Sequence, residues 1–348
     1  MLPDLADSAG TLRFASRFPG LKAATFYRDV QGLFVSSIGI GTYLGEMDSA
    51  TDLAYTQAVS AALTAGVNFI DTSLNYRNQR SERSIGAALR KAVEAGDIHR
   101  NEIVIATKAG YLVPDAVPAG ILSASDVVGG MHSMAPAFLR DQMGRSRENV
   151  GIGSIDVFYL HNPETQLAYI SETEFLEKIR QAFEYLEKAV SEGQIHYYGT
   201  ATWQGYRHSK SSREALPLEK LAGIASEIAG GGHHFRFIQL PFNLAMPEAF
   251  ANRVNGENVL EIAARLGITV VASASLYQAR LARNLPEEIR AKLPGTETDA
   301  QRAIQFVRST PGIAVALVGM SNVAHVRENL ALASVPPLDL DQYLSLYM

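Results

Sequence analysis

Eight short runs rich in β-branched and aromatic residues recur along the chain. Each is followed by a longer stretch in which Ala, Leu, Glu and Lys fall at helical spacing. Such runs read as strands and the stretches after them as amphipathic helices. Strands are predicted near 35–39, 67–70, 103–107, 155–160, 196–199, 236–240, 268–272 and 314–318. Helices are predicted near 52–65, 80–95, 136–147, 172–191, 215–229, 256–266, 298–309 and 322–332. Strands alternating with helices pair in parallel through right-handed crossovers. Eight of each is the count of a closed (β/α)8 barrel of the TIM type. The competing solution, an open doubly wound sheet, usually carries a G-x-G-x-x-G turn after an early strand. "GIGTYLG" at 39–45 is rich in glycine but does not fit that spacing, so the barrel is the expected fold.

Punctuation agrees with this pattern. Gly66, Gly193 and Gly267 stand where helices should stop, and Asp52 and Ser171 are expected N-caps. "TFYRDVQGLFVS" alternates about Gln31-Gly32 and predicts an N-terminal β-hairpin covering one end of the barrel. Residues 110–135 form a long insert containing Gly, Pro and Ser after the third strand. Loops of that length tend to be functional or mobile. No repeat, linker or low-complexity stretch divides the chain, which reads as one domain over 1–348.

Composition narrows the function classes. Hydrophobic residues make up 47% of the 348, enough for a large core, and the formal net charge is −5. With no block of Lys and Arg, a nucleic-acid partner is not expected. The absence of cysteine removes disulfides, thiolate metal sites and a cysteine nucleophile. The adjacent His pair in "GGGHHFRF" lacks a carboxylate set, so no metal site is expected. No apolar run approaches the roughly 18 residues of a membrane span. The opening "MLPDLADSAG" lacks the apolar core of a secretory signal. A cytoplasmic protein without membrane contact is the expectation.

Active sites of such barrels sit at the C-terminal ends of the strands. Asp71 follows the second predicted strand and Tyr76 lies five residues on; Thr107 and Lys108 end the third, and His161 ends the fourth. Any one of these alone reads as a cap, a turn residue or a solvated loop residue. Three polar endings on adjacent strands converge on one mouth. A phenol is a poor acid at neutral pH, a nearby ammonium lowers its pKa, a carboxylate holds the ammonium, and an imidazole can orient a carbonyl. The set describes a proton-transfer site acting on an oxygen.

At these residues the chain resembles the aldo-keto reductase family. The resemblance runs from about Phe26 to Leu332 and rests on "SSIGIGTYLG", "VNFIDTSLNYRNQRSERSIGAALR", "IVIATKAG", "IDVFYLHNP", "YYGTATW", "FIQLPFN" and "VALVGMSNVAHVRENL". It implies a barrel that interconverts small carbonyl compounds (aldehydes, ketones or sugars) and alcohols with a nicotinamide cofactor, NADP(H) before NAD(H). It also implies that Tyr76 is the general acid or base, tuned by Lys108 and Asp71, with His161 orienting the carbonyl. Cofactor contacts are implied for Thr42, Thr202, Gln239, Ser275, Leu276, Gln278, Gly319, Ser321, Asn322, His325, Glu328 and Asn329. Tyr43, Trp203 and His132, the last reaching in from the insert, are candidates to touch substrate.

The chain departs from the family pattern at three places. Ala201 replaces a usual Ser. Ser273 stands where a Tyr usually stacks on the nicotinamide, with Tyr277 the nearby substitute. Met320 and His325 stand where many members place a Lys or Arg for the 2′-phosphate, which keeps NAD(H) open. Two further readings follow: an NAD(P)+-dependent aldose or alcohol dehydrogenase, and a cofactor-binding regulatory subunit with residual redox activity.

Overall fold

The computed structural model describes residues 2, 5–23, 25–207 and 212–347. Residues 1, 3 and 4 of the opening stretch lie outside them. A hairpin comes first, β1 (Tyr27–Val30) against β2 (Leu33–Ser36), antiparallel. Its turn residues Gln31 and Gly32 have φ of 52° and 78°. Positive φ at both positions is the turn that matches strand twist in a two-residue hairpin.

The barrel follows: β3 (Ile38–Gly41), β4 (Phe69–Asp71), β5 (Val104–Ala109), β6 (Ile155–His161), β7 (Ile195–Ala201), β8 (Phe235–Pro241), β9 (Thr269–Ser273) and β10 (Ile313–Gly319). Each pairs in parallel with the next, and β10 closes on β3. The eight-stranded barrel read from the sequence is therefore the architecture.

Strand side chains alternate in direction. Phe69, Val104, Val157, Phe237, Val271 and Val315 meet in one buried interior cluster, and Val30, Leu33 and Val35 of the hairpin join it. The hairpin thus plugs the end of the barrel where the strands begin. A second, larger core lies between the strands and the surrounding helices and includes Ile70, Ile105, Phe158 and Ile238. At Gly199 even a methyl group is excluded, because a Cβ would lie 1.9 Å from Phe237 O.

Two expectations need correction. Val35 and Ser36 belong to the hairpin, and the barrel strand begins at Ile38. Two small buried serines, Ser36 and Ser37, separate Val35 from Ile38, and periodicity alone does not mark a change of sheet there. The cap of helix Ser49–Thr64 is Asp48, whose side chain accepts from Thr51 N at 2.7 Å. Asp52 sits in the first turn and pairs instead with Arg77 and Arg80. Ser171 does cap helix Glu172–Ser191.

Candidate active site

The interior register decides which side chains reach the mouth. Two residues beyond inward-facing Phe69 is Asp71, two beyond Ala106 is Lys108, and two beyond Tyr159 is His161. The same step from Phe237 gives Gln239, from Val271 gives Ser273, and from Leu317 gives Gly319. Thr107 faces the other way and donates to Glu82 Oε1 at 2.7 Å, under helix Arg80–Glu94. These strand ends and the loops beyond them enclose a cleft of about 500 Å3.

At its floor lies a buried ion pair. Lys108 Nζ donates to Asp71 Oδ1 at 2.6 Å and to Thr72 O at 2.7 Å. Gln239 Nε2 donates to Asp71 Oδ2 at 2.8 Å. Both carboxylate oxygens and two of the three ammonium donors are therefore engaged. Burial pushes Lys108 down and Asp71 up from their ordinary values, and the attraction between them opposes both shifts.

Tyr76 stands above this pair, with Lys108 Nζ 5.0 Å from its ring centroid. Burial holds the phenol well above its ordinary value, and the Asp71, Tyr43 and Tyr111 charges add to this. Loss of water on burial is the largest cause, so the phenol's net shift is upward although Lys108 lies close to the ring. His161 is held neutral, well below its ordinary range, by burial first, then by Lys108 and His132. Its ring meets Tyr76 edge-on at 5.7 Å.

Of the expected cofactor contacts, Thr42, Thr202, Gln239, Ser275, Leu276, Gln278 and Gly319 line the cleft. Thr42 is buried and bonds Thr72 Oγ1 at 2.9 Å. Ser275 is 1% exposed, and its Oγ has no partner among the described residues. Ser321, Asn322, His325, Glu328 and Asn329 lie beyond the lining, on the turn after β10 and helix Val323–Leu330. Asn322 caps that helix, accepting from Ala324 N at 2.7 Å. Met320 is 1% exposed and packed in the core, so it does not face a 2′-phosphate. Ser273 lines the cleft; Tyr277 does not, and its ring lies 4.9 Å from the Arg280 guanidinium.

Tyr43 and Trp203 line the cleft and are exposed, as substrate contacts would be. His132 does not line it. The insert folds back, with Leu112 N on Met131 O and Ser133 N on Gly110 O, and carries His132 behind the mouth. There the ring is fully buried, bonded to His161 O at 2.7 Å and to Gln166 at 2.9 Å. Gly110 makes room, since a Cβ there would lie 2.6 Å from His132 Nε2. The insert was expected to bring His132 to the substrate; it packs back on itself and buries the ring instead. Burial pushes the His132 pKa down to about 4.

Sequence reasoning missed Tyr111, Asn162, Ser73 and Asn75. Tyr111 packs edge-on to His161 at 5.3 Å and accepts from Asn162 Nδ2 at 3.0 Å. Asn162 directly follows His161, and Ser73 and Asn75 lie between Asp71 and Tyr76, so adjacency to the strand ends was the available signal.

The chain matches the sequence model of the Aldo/keto reductase family over residues 37–346. It is 28% identical over 203 residues to a D-threo-aldose 1-dehydrogenase of Pseudomonas sp, covering 55% of this chain and 58% of that one. It is 23% identical to a probable voltage-gated potassium channel subunit beta of Arabidopsis thaliana, over 88% of this chain and 90% of that one. A crystal structure of an aldo/keto reductase from Klebsiella pneumoniae in complex with NADP and acetate superposes with a TM-score of 0.63 at 21% identity, covering 92% of this chain and 94% of that one.

Proposed function

The chain belongs to the aldo/keto reductase family of oxidoreductases, and on that premise we propose that it interconverts a neutral carbonyl compound and its alcohol, with Tyr76 handling the proton. The observation that carries this reading is the buried Lys108–Asp71 pair 5.0 Å beneath the Tyr76 ring, with neutral His161 beside it. A half-buried phenol held above its ordinary pKa is fully protonated at neutral pH, as a proton donor to a reduced carbonyl oxygen must be. His161 contributes a neutral N–H donor that aligns the carbonyl. Taking a proton back, in alcohol oxidation, requires the phenolate. Lys108 is then the cation that stabilises it, and its third donor N–H is not engaged in a described hydrogen bond.

The cleft's residues fit a nicotinamide dinucleotide. Ser275 Oγ is buried without a partner among the described residues, Gly41 and Gly319 leave the strand ends open, and Gln239 keeps its amide oxygen free of Asp71. Thr42, Thr202, Gln239, Ser275, Leu276, Gln278 and Gly319 would hold it, with Ser321, Asn322, His325, Glu328 and Asn329 toward its adenosine end. When bound, it supplies the hydride. NADP(H) is the first choice, since a neighbour of the same fold is described with NADP. NAD(H) competes because a single imidazole lacks the planar fork of donors that Arg offers a phosphate.

Among the described residues, Asp71, paired with Lys108, is the one charged side chain that lines the cleft. Hydroxyl, amide and indole groups of Tyr43, Tyr111, Asn162 and Trp203 supply the polarity. Similarity to an aldose dehydrogenase favours a second reading of direction, oxidation of a neutral aldose. Comparison of NADPH, NADH, NADP+ and NAD+ against a panel of aldehydes, ketones and aldoses tests both. Tyr76→Phe should lower turnover at least about a hundredfold with cofactor affinity unchanged. Survival of turnover in that variant would sink the assignment.

A further inference from the structure

Trp203 is the only tryptophan in the chain, and it walls the cleft just beyond β7. It is 39% exposed, so the packing around its ring is incomplete. Its backbone is held from behind. Glu164 Oε1 accepts from Trp203 N at 2.7 Å, Gln204 N at 3.0 Å and Gly205 N at 3.4 Å. Successive backbone N–H groups turned toward one point form a concave anion site. Here the anion is a side chain of the same protein. Glu164 is 3% exposed, and among the described residues no Lys or Arg pairs with it. Burial pushes its carboxyl up from the ordinary value, and the backbone N–H donors oppose that shift.

The strand ends explain the placement. β6 and β7 pair His161 with Ala201, and Asn162 N donates to Ala201 O at 2.6 Å. Asn162 then turns left-handed, with φ of 47°, and Pro163 opens a 3-10 helix. That helix sets Glu164 beside the turn that follows Thr202. The far end of the turn has its own ties, Tyr206 Oη to Thr200 Oγ1 at 2.6 Å and Leu216 N to Gly205 O at 2.7 Å. The near end carries Trp203 and is held by Glu164.

We infer that Glu164 is a positioning residue for substrate: its carboxylate holds the turn that sets the Trp203 ring against the body of a bound carbonyl compound. The inference rests on the proposed reading of the cleft as a carbonyl site. Glu164 acts through Trp203, away from the reacting atoms. Its loss therefore removes binding shared by ground state and transition state, which raises KM and spares kcat.

Because Trp203 is alone, tryptophan fluorescence of the full chain reports its position directly. Glu164→Ala should raise the acrylamide quenching constant about twofold and KM about tenfold, with kcat and the cofactor dissociation constant within about twofold of wild type. Glu164→Gln, which keeps an acceptor oxygen at the same reach, should restore both. If the Ala variant does not fold, Glu164→Asp carries the same expectation, because one methylene less draws the oxygen away from the turn. Trp203→Ala should raise KM at least as much as Glu164→Ala, and the double variant should add less than about twofold to it. Unchanged quenching in Glu164→Ala or Glu164→Asp, or multiplicative effects on KM in the double variant, overturns the inference. Quenching needs no turnover, so the two readings fail separately. A quenching difference in a protein inert toward every carbonyl and aldose sinks the proposed reaction and leaves Trp203 held by Glu164. Turnover without that difference sinks this inference alone.

Discussion

Two corners at the mouth of this barrel adopt the same unusual backbone and are held in opposite ways. After Tyr76, residues Arg77, Asn78 and Gln79 have φ of 51°, 51° and 71°. After β9, residues Tyr277, Gln278 and Ala279 have φ of 46°, 53° and 65°. Left-handed backbone costs a non-glycine residue roughly 1–2 kcal/mol, and three in succession are rare. At the first corner Arg77 is 5% exposed, pairs with Asp52, donates to Glu46 O at 3.1 Å and lies over the Tyr55 ring. Leu74 of the same corner packs with Val113 and Ala116 of the insert. At the second corner Gln278 and Ala279 are exposed. Among the described residues, no side chain from 276 to 283 makes a hydrogen bond there, and Arg280 only stacks on Tyr277. The corner that carries the candidate proton donor is locked from behind. The second corner carries no such lock among the described residues.

Four experiments sharpen or break that contrast. The largest effect is expected from Lys108→Met, which leaves Asp71 buried and uncompensated beneath the locked corner. Stability in denaturant titration should fall by about 3–5 kcal/mol. A loss under 1 kcal/mol would mean that the pair does not anchor this side of the mouth.

Acid should also act on the fixed side. His132 has its pKa pushed down to about 4, below its unfolded value of 6.5. The unfolded chain therefore takes up this proton first. The stabilisation is fully present above pH 6.5, is lost as pH falls toward 4, and changes no further below that. It amounts to about 3 kcal/mol at most. His132→Gln should flatten the stability profile in that window, and an unaltered slope would remove His132 as the cause.

Smaller differences separate the two corners directly. Arg77→Ala should cost about 2 kcal/mol and depress turnover with it, because a buried guanidinium pair and a strained turn's anchor go together. Arg280→Ala should stay within about 0.5 kcal/mol of wild type. Equal effects in thermal melts would erase the distinction. Finally, hydrogen exchange should be faster at 276–283 than at 74–81, and added NADP+ or NAD+ should slow only the former. Protection confined to 74–81 would reverse the assignment of fixed and responsive corners.

Much of this was legible before folding. The eight strands follow from runs such as "IVIAT" and "IDVFYL", whose length and branching suit a buried parallel sheet. Asp71, Lys108 and His161 were found because each ends a strand, and a barrel gathers strand ends. The boundary between hairpin and barrel at Ser37 was not legible, because both sides are equally apolar. Nor was the place of His132, which depends on an insert packing back on itself to reach a carbonyl 29 residues away.

The sequence by itself determined the architecture and the identity of the polar strand ends, because periodicity and order along the chain are local properties. Only the tertiary structure decided how those ends share their protons and charges. Gln239 completes Asp71, burial rather than Lys108 governs Tyr76, and Ser73 meets His161 across the mouth. Each of these depends on distance and loss of water between residues far apart in sequence, and those quantities exist only once the barrel has closed.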